Sequence, residues 1–365
     1  MMALADLSTL APSVRLYLRP AALHSGREAS ALIESGAAFR LAGSRLACSL
    51  LEVILRHDDQ RLRSIYATPP ELAAWSERSA GAHPERARTL LERLRDDHGG
   101  RSDHPQIMGV LNVTPDSFSD GGEHAGPEAA VEHGARLVEE GADIVDVGGE
   151  STRPFAQLVA AEEELRRVLP VVEKLVAAGI TVSIDTRHAA VMRAATIAGA
   201  SVINDVSALT GDPDSLEVAS SSGARVALMH MHGDPQTMQV RPTYEHAALD
   251  IFDWLEARIA VCERAGIGRD RLIVDPGLCF GKTEAHNLDL LRSLTLLHGL
   301  GCPILLGASR KGWTESIERR HRPKQRLPSS LAAAQWGLDR GVQLLRVHDV
   351  AETRQTVQAW LALTS

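Results

Sequence analysis

Short apolar runs alternate with amphipathic segments along most of the chain, and polar residues follow each run. The runs are three to five residues long, which is typical of strands buried on both faces, and the segments between them have the helical spacing of apolar positions. The predicted strands are residues 107–111, 144–147, 181–184, 201–203, 225–228, 272–274, 304–306 and 344–347. The predicted helices are residues 128–140, 162–178, 189–198, 214–222, 247–265, 286–297, 329–340 and 352–363.

Eight strand-helix units in this order predict an α/β protein with a (β/α)8 TIM barrel, a fold that usually takes about 250 residues. An open, doubly wound parallel sheet is the alternative, because it shows the same alternation. Residues 1–100 lack the alternation: residues 41–55 predict one or two strands or a short helix, and residues 69–79 and 85–96 predict surface helices. We therefore expect a small α+β extension of unknown role at residues 1–100 and the barrel at residues 101–365, joined by a Gly- and Ser-containing linker.

The polar residues that follow the strands carry the candidate chemistry. In a (β/α)8 barrel the C-terminal ends of all strands meet at one mouth, where active sites of this fold are built. The residues at these ends are Asn112, the segment 148–154 (GGESTRP), Asp185, Asn204, His230, Asp275, the segment 309–311 (SRK), and Arg346 with His348. Eight polar strand ends in succession predict a site at the mouth.

Composition narrows the class of protein. A hydrophobic fraction of 44% and a net charge of −8 are ordinary for a soluble globular protein and argue against nucleic acid or an anionic membrane as the main partner. Aromatic residues make up 4%, too few for base-stacking surfaces. The four cysteines have no zinc-ligand spacing, and neither a membrane-spanning run nor a signal sequence is present. We expect a cytoplasmic protein with reduced thiols.

Asp185, Asn204, Asp275 and Lys311 have the donors and acceptors of a slot for a flat heterocycle with amide and amino edges. A carboxylate pairs well with a ring N–H beside an exocyclic amine. The alternative for each aspartate is an N-cap on the following helix.

Asn112, Arg346 and His348 have the composition of an anion pocket, and the amide oxygen of Asn112 is a ligand for a hard cation such as Mg²⁺. Arg346 and His348 are two positions apart, so on a strand they point to the same side. The alternative is an ordinary surface pair. His230 and His232 lack a third ligand at a metal-binding spacing, and the segment 277–282 (GLCFGK) lacks the spacing of a phosphate loop.

With these residues assembled, the chain resembles the dihydropteroate synthases of bacterial folate synthesis. Six separated stretches carry the resemblance, GVLNVTPDSFSDGG, DVGGESTRP, SIDT, INDVSAL, DPGLCFGK and GASRK, closed by LRVHDVAET. The resemblance implies a (β/α)8 barrel that joins para-aminobenzoate to 6-hydroxymethyl-7,8-dihydropterin diphosphate by an SN1-like substitution. It also implies Mg²⁺ as cofactor, a homodimer, and a target of sulfonamides.

The resemblance further assigns roles to residues at matching positions. It implies catalytic roles for Asp185, Lys311, Asp120 and Arg153. The implied pterin-binding residues are Asp185, Asn204, Asp275, Lys311, Met229 and Gly307. The implied diphosphate site is Asn112, Arg346 and His348, with Asn112 also the metal ligand, and the implied para-aminobenzoate site is Thr152, Arg153, Pro154, Phe280 and Ser309. The segments 114–122 and 152–153 match mobile loops of the family.

Phe155, Leu278, Cys279 and Gly312 depart from the family pattern. These departures bear on affinity and sulfonamide response rather than on the reaction. Two other functions share the fold: a methyltetrahydrofolate-dependent methyltransferase, against which the SRK segment and the 114–122 loop argue, and a catalytically silent paralogue, against which the retained Asn112 and Arg153 argue.

Overall fold

The structure is a computed structural model that describes residues 4–57, 62–98, 104–113, 127–150, 158–233, 237–314 and 322–365. Two sheets organise it: a four-stranded antiparallel sheet near the N-terminus and an eight-stranded parallel sheet that follows. The two sheets share no strand pairing among these residues.

The N-terminal extension is a small α+β unit. Its strands are β1 (Arg15–His24), β2 (Phe39–Arg40), β3 (Ala47–Arg56) and β4 (Leu62–Ala67), and its helices are α1 (Gly26–Glu34), α2 (Pro69–Arg78) and α3 (Ala82–Arg95). β3 is central, with β1 on one side and β2 and β4 on the other. Of the alternatives for residues 41–55, the strand is therefore correct. α2 begins at Pro69 because Thr68 and Glu71 form a capping box there.

The barrel contains the eight predicted strands and the helices between them. The strands are β5 (Gln106–Asn112), β6 (Ile144–Gly148), β7 (Val182–Asp185), β8 (Val202–Asp205), β9 (Arg225–Met229), β10 (Leu272–Asp275), β11 (Leu305–Leu306) and β12 (Leu344–Val347). The helices are α4 (Pro127–Glu139), α5 (Ala161–Ala177), α6 (Ala189–Ile197), α7 (Ser215–Ser222), α8 (Ala247–Arg264), α9 (Glu284–Arg292), α10 (Leu327–Leu338) and α11 (Val350–Leu363).

The order of the parallel strands is β10-β9-β8-β7-β6-β5-β12-β11, and a parallel bridge from Val274 to Ile304 joins the two ends. The sheet is thus a nearly closed barrel, which excludes the open doubly wound alternative. One buried side chain from each of seven strands forms a separate interior cluster, as expected for a packed barrel. These are Met108, Ile144, Val202, Ala227, Ile273, Leu305 and Leu344.

One helix prediction is wrong in its extent. Residues 286–297 are two elements, α9 and a 3-10 helix at Leu294–Leu300, because the α-helix ends at Ser293. The N-terminal extension contacts this 3-10 helix, where the Thr295 hydroxyl donates to the Pro20 carbonyl at 2.9 Å.

Ion pairs also hold the extension against α8. Arg86 contacts Glu256 through two bonds of 2.6 and 2.9 Å, and Arg93 lies 2.9 Å from the same carboxylate. The Tyr17 hydroxyl donates to Asp253 at 2.8 Å. The extension therefore docks on the outer helices of the barrel. Within the described ranges, no helix combines the length and the apolar character that crossing a membrane requires.

Candidate active site

Asp185 and Asn204 lie side by side at the ends of β7 and β8, where the two strands are in register. Both are buried, and the amide nitrogen of Asn204 donates to Asp146 at 3.0 Å. The guanidinium of Arg346, on β12, lies 2.6 Å from Asp146 and 2.6 Å from Asp185. Gly148 lies next to the Asp185 side chain, since a Cβ there would be in van der Waals contact with the Cβ of Asp185 at 3.4 Å. Four polar groups thus converge inside the mouth.

Asp146 belongs to this site, and the sequence reasoning missed it. It is fully buried in the middle of β6, and one of its carboxylate oxygens has no hydrogen-bond partner. The available signal was a charged residue within the apolar run IVDVG. A buried carboxylate is found in a strand only when a partner holds it, so Asp146 predicts a cation opposite.

A second cluster lies at the ends of β10 and β11. Asp275 is 4% exposed and accepts the Gly277 N–H at 2.7 Å. A Cβ on Gly307 would lie 3.4 Å from Lys311 Nζ and 3.6 Å from Oδ2 of Asp275, so both charged groups border the space at this glycine. Lys311 Nζ also donates to the Leu278 carbonyl at 3.2 Å and lies 4.7 Å from the centre of the Phe280 ring. The structure therefore places all four residues of the predicted pterin slot, Asp185, Asn204, Asp275 and Lys311, at the ends of the barrel strands or just after them.

In these clusters, burial and the neighbouring opposite charges shift the pKa values of the charged groups in opposite directions. Burial raises the pKa of Asp185, while Arg346 opposes this rise. Burial likewise raises the pKa of Asp275, opposed first by Lys311, and lowers the pKa of Lys311, opposed first by Asp275. The two carboxylates raise the pKa of Arg346 despite its burial. Because each carboxylate faces a cation, the mouth holds paired opposite charges in a low-dielectric setting.

His348 and Ser309 connect the two predicted substrate sites. The Ser309 hydroxyl oxygen accepts the His348 backbone N–H at 3.1 Å and lies 3.3 Å from the Nδ1 of the ring. Burial and the nearby Arg346 lower the pKa of His348 to about 3, so the ring is neutral at pH 7. His348 and Arg346 therefore have different partners here. Asn112, at the end of β5, is partly exposed and pairs in register with Gly148 of β6.

An apolar floor lies beside the charged groups. Met229 and Phe280 pack together with Val206 and Met238, and all four are buried. Met229 ends β9, and Phe280 lies in the loop after β10. The residue His230 contacts Lys282, since its Nδ1 lies 3.0 Å from the lysine Nζ. Lys282 is a second buried polar residue that the sequence reasoning did not use.

Asp120, Thr152, Arg153 and Pro154 lie outside the described residues, so their predicted roles stay predictions. The described residues that flank the segment containing Thr152, Arg153 and Pro154 are held by hydrogen bonds and an ion pair. Glu150 accepts the Val159 N–H at 2.8 Å and forms an ion pair of 2.9 Å with Arg187.

The model of the pterin binding enzyme family matches residues 108–348 of the chain. The dihydropteroate synthase of Escherichia coli strain K12 is 44% identical over 256 residues, which cover 70% of this chain and 90% of that protein. The solved Xanthomonas albilineans dihydropteroate synthase with 4-aminobenzoic acid is 49% identical, has a TM-score of 0.68, and covers 72% of this chain and 94% of that one. The same enzyme in complex with 7,8-dihydropteroate is 46% identical, with a TM-score of 0.66 and coverage of 72% and 95%. These similarities confirm the resemblance seen in the motifs, and the chain belongs to the dihydropteroate synthase family of pterin-binding transferases.

Proposed function

We propose that the barrel mouth condenses 6-hydroxymethyl-7,8-dihydropterin diphosphate with para-aminobenzoate, giving 7,8-dihydropteroate and diphosphate for folate synthesis. The observation that carries this proposal is the pair of buried carboxylates, Asp185 and Asp275, each faced by a cation: Arg346 lies 2.6 Å from Asp185, and Lys311 and Asp275 both border Gly307. Such a slot matches the alternating donors and acceptors of a pterin ring. A relative of known structure binds 4-aminobenzoic acid and 7,8-dihydropteroate, which agrees with one proposed substrate and with the proposed product.

In this proposal the pterin lies between the two charged clusters. Asp185 and Asn204 take its amino and ring N–H edge, while Asp275 and Lys311 take the opposite edge. Met229 supports one face of the ring, and Gly307 leaves room for it. The neighbouring Asp146 does not need to touch the ring, because it holds both Asn204 and Arg346 in place.

The diphosphate would bind beside Asn112, Arg346 and His348. Asn112 fits as a Mg²⁺ ligand, because Mg²⁺ commonly takes only one or two protein oxygens and completes its shell with water and phosphate oxygens. Among the described residues, no group of three acidic, His or Cys side chains is placed to hold a metal. When bound, the ion would neutralise charge on the leaving diphosphate.

The reaction breaks the bond between carbon and the diphosphate oxygen and forms a bond from the same carbon to the aromatic amine, which then loses a proton. Positive charge on the carbon spreads into the pterin ring during this exchange. Asp185 and Asp275 stabilise it electrostatically, while Arg346 and His348 contact the departing anion. No covalent enzyme nucleophile is needed.

The para-aminobenzoate would bind between Phe280 and Ser309, with Thr152, Arg153 and Pro154 closing the site. Asp120 lies in the other predicted loop, and both loops would keep water from the cationic carbon. The backbone N–H groups near Gly312 would meet the carboxylate, since a glycine at this position supplies no hydroxyl.

Diphosphate release from the purified protein, measured with Mg²⁺ and dihydropterin diphosphate, tests this function. We expect release and dihydropteroate formation to require para-aminobenzoate. Pterin binding without turnover would favour a silent paralogue, and no pterin binding would contradict the assignment of the slot.

The chain divides, in our proposal, into residues 1–100 and a catalytic unit at residues 101–365. The separate sheets support this division, and every predicted site residue lies in the second part. Activity of a purified 101–365 fragment would support it. An inactive but folded fragment would show that the extension takes part in catalysis.

The protein is further proposed to act as a cytoplasmic homodimer, with the last barrel helices at the dimer interface. Cys48, Cys262 and Cys302 are buried thiols, which suits a reducing compartment. A monomeric mass by light scattering at micromolar concentration would contradict the dimer, and recovery of the native protein from the membrane or periplasmic fraction would contradict the location.

A further inference from the structure

Lys282 is a buried cation that no step of the proposed reaction uses. It is 3% exposed, and its Nζ has three acceptors: the Phe280 carbonyl at 2.9 Å, His230 Nδ1 at 3.0 Å and the His230 carbonyl at 3.2 Å. An ammonium group has three N–H donors, so each donor has one acceptor. Burying an ammonium is costly unless it is fully hydrogen-bonded, and this one meets that condition.

These acceptors belong to two different loops. His230 follows β9, and Phe280 lies in the loop after β10. The loops touch through their backbones: a Cβ on Gly277 would lie 1.9 Å from the His230 carbonyl oxygen, and one on Gly281 would lie 2.8 Å from the His232 carbonyl oxygen. Both glycines have positive φ, +67° and +64°. No other residue would permit this approach without moving a loop.

The charged groups around Lys282 have opposite effects on its pKa. Burial is the largest influence and lowers its pKa to about 7, Asp275 and Cys279 favour the charged form, and Lys311 disfavours it. The ring of His230 stays neutral, because burial first and then Lys282 and His232 lower its pKa to about 2. A neutral His230 is an acceptor at Nδ1 when its proton is on Nε2, which is the form that Lys282 requires.

We propose that Lys282 is a positioning residue that ties the loop after β9 to the loop after β10, and so holds Met229 and Phe280 against the rings of the two substrates. Met229 directly precedes His230, and the Phe280 carbonyl is itself one of the three acceptors. The Phe280 ring in turn lies 4.7 Å from Lys311 Nζ. Loss of the ammonium frees the two His230 acceptors in one loop and the Phe280 carbonyl in the other, and lets both side chains shift. This inference rests on the proposed function.

The first experiment compares Lys282→Met with Lys174→Met, a matched change at a surface lysine paired with Glu128. Methionine keeps most of the length of the side chain and removes its donors. Because misplacement of about 1 Å can reduce rates about 10²-fold, we expect kcat/KM for para-aminobenzoate to fall about 10- to 100-fold in Lys282→Met, mainly through KM. The affinity of Lys282→Met for inorganic diphosphate should not change. The activity of Lys174→Met should not change either. An unchanged KM in folded Lys282→Met would overturn the proposal.

The second experiment uses the wild-type protein and does not depend on a variant that folds. Nitrogen-15 NMR of the His230 ring should show the proton on Nε2, with an Nδ1 shift that changes near pH 7 while the ring stays neutral. A proton on Nδ1 would show that Lys282 does not donate there, and would overturn the proposal. If the wild type forms no dihydropteroate, the proposed function fails. The His230 signal and calorimetric binding of para-aminobenzoate to both variants would still decide the role of Lys282.

Discussion

The guanidinium of Arg346 lies 2.6 Å from the carboxylate of Asp185. The sequence placed these residues in two separate sites, one for an anion and one for a ring. The structure joins them, with Asp146 as the second partner of the same guanidinium. Arg346 therefore offsets part of the negative charge in the slot, and an arriving diphosphate has to share or take over a cation that already has two partners.

Arg346→Met is expected to lower the free energy of unfolding by about 3–5 kcal/mol at pH 7, because it leaves two buried carboxylates without a cation. Asp146 is fully buried and the Asp185 side chain is 8% exposed, so solvent screens neither strongly. Urea denaturation measures the change. Adding Asp146→Asn should recover part of the loss, and a double variant no more stable than Arg346→Met would show that Asp146 is not the unpaired charge.

Asp185→Asn and Lys311→Ala should each reduce turnover by at least about 10²-fold, since one removes charge opposite the cationic carbon and the other removes a donor to the ring. Steady-state assay of dihydropteroate formation measures both. Lys174→Ala is the matched control for the second change. Near-normal turnover in both site variants would contradict the assignment of the pterin slot.

Much of this site was predictable, because strand ends in a barrel converge whatever their side chains are. The neighbours Asp185 and Asn204 follow from the order of β7 and β8 alone. The partner of Arg346 does not, since it depends on which rotamer the guanidinium adopts between Asp146 and the mouth. His348 lies one residue beyond the end of β12, and its backbone N–H donates to the Ser309 hydroxyl, a contact that strand periodicity does not predict.

Local pattern was also insufficient in the extension. Residues 41–55 fit a strand or a helix equally well, and only pairing of β3 with β1 decides between them. The 3-10 helix that follows α9 contacts β1. Helical spacing along the chain carries no information about this contact, so it could not predict that α9 and the 3-10 helix are separate elements.

Glu164 makes the stability of the protein depend on pH. It is fully buried, and burial raises its pKa to about 8 from an ordinary value of 4.5. The folded state thus holds a proton that the unfolded state releases, so this contribution is fully present below about pH 4.5 and is lost as the pH rises through 8. Glu164→Gln, which keeps an acceptor for Thr186, should flatten the decline in unfolding free energy between pH 5 and about 9. Exposed Glu162→Gln is the control, and equal slopes in all three proteins would contradict the prediction.

Arg86→Ala tests how the extension is held. The guanidinium makes two bonds to Glu256, and the two side chains are 26% and 20% exposed. We expect a loss of about 1–2 kcal/mol in unfolding free energy, since the pair is charge-assisted and only partly solvated. Arg166→Ala, which removes an exposed pair with Glu163, should cost less than about 0.5 kcal/mol. Turnover should not change in either variant, and a large loss of activity in Arg86→Ala would place the extension in the catalytic cycle.

Gly312→Ser restores a hydroxyl beside the proposed carboxylate site for para-aminobenzoate. A Cβ at this position would lie 3.3 Å from Nη1 of Arg326, the end of a flexible side chain that donates to the Arg310 carbonyl at 3.2 Å, and the glycine does not have a positive φ. The serine should therefore fold normally and lower KM for para-aminobenzoate several-fold, through one more hydrogen bond of about 0.5–1.5 kcal/mol. Gly312→Ala is the matched control, because it adds the carbon without the hydroxyl. A sulfonamide that mimics the aromatic acid should respond in the same direction if it uses the same hydroxyl. If serine and alanine give the same KM, the carboxylate does not bind at Gly312, and the para-aminobenzoate site has to be placed elsewhere around Phe280.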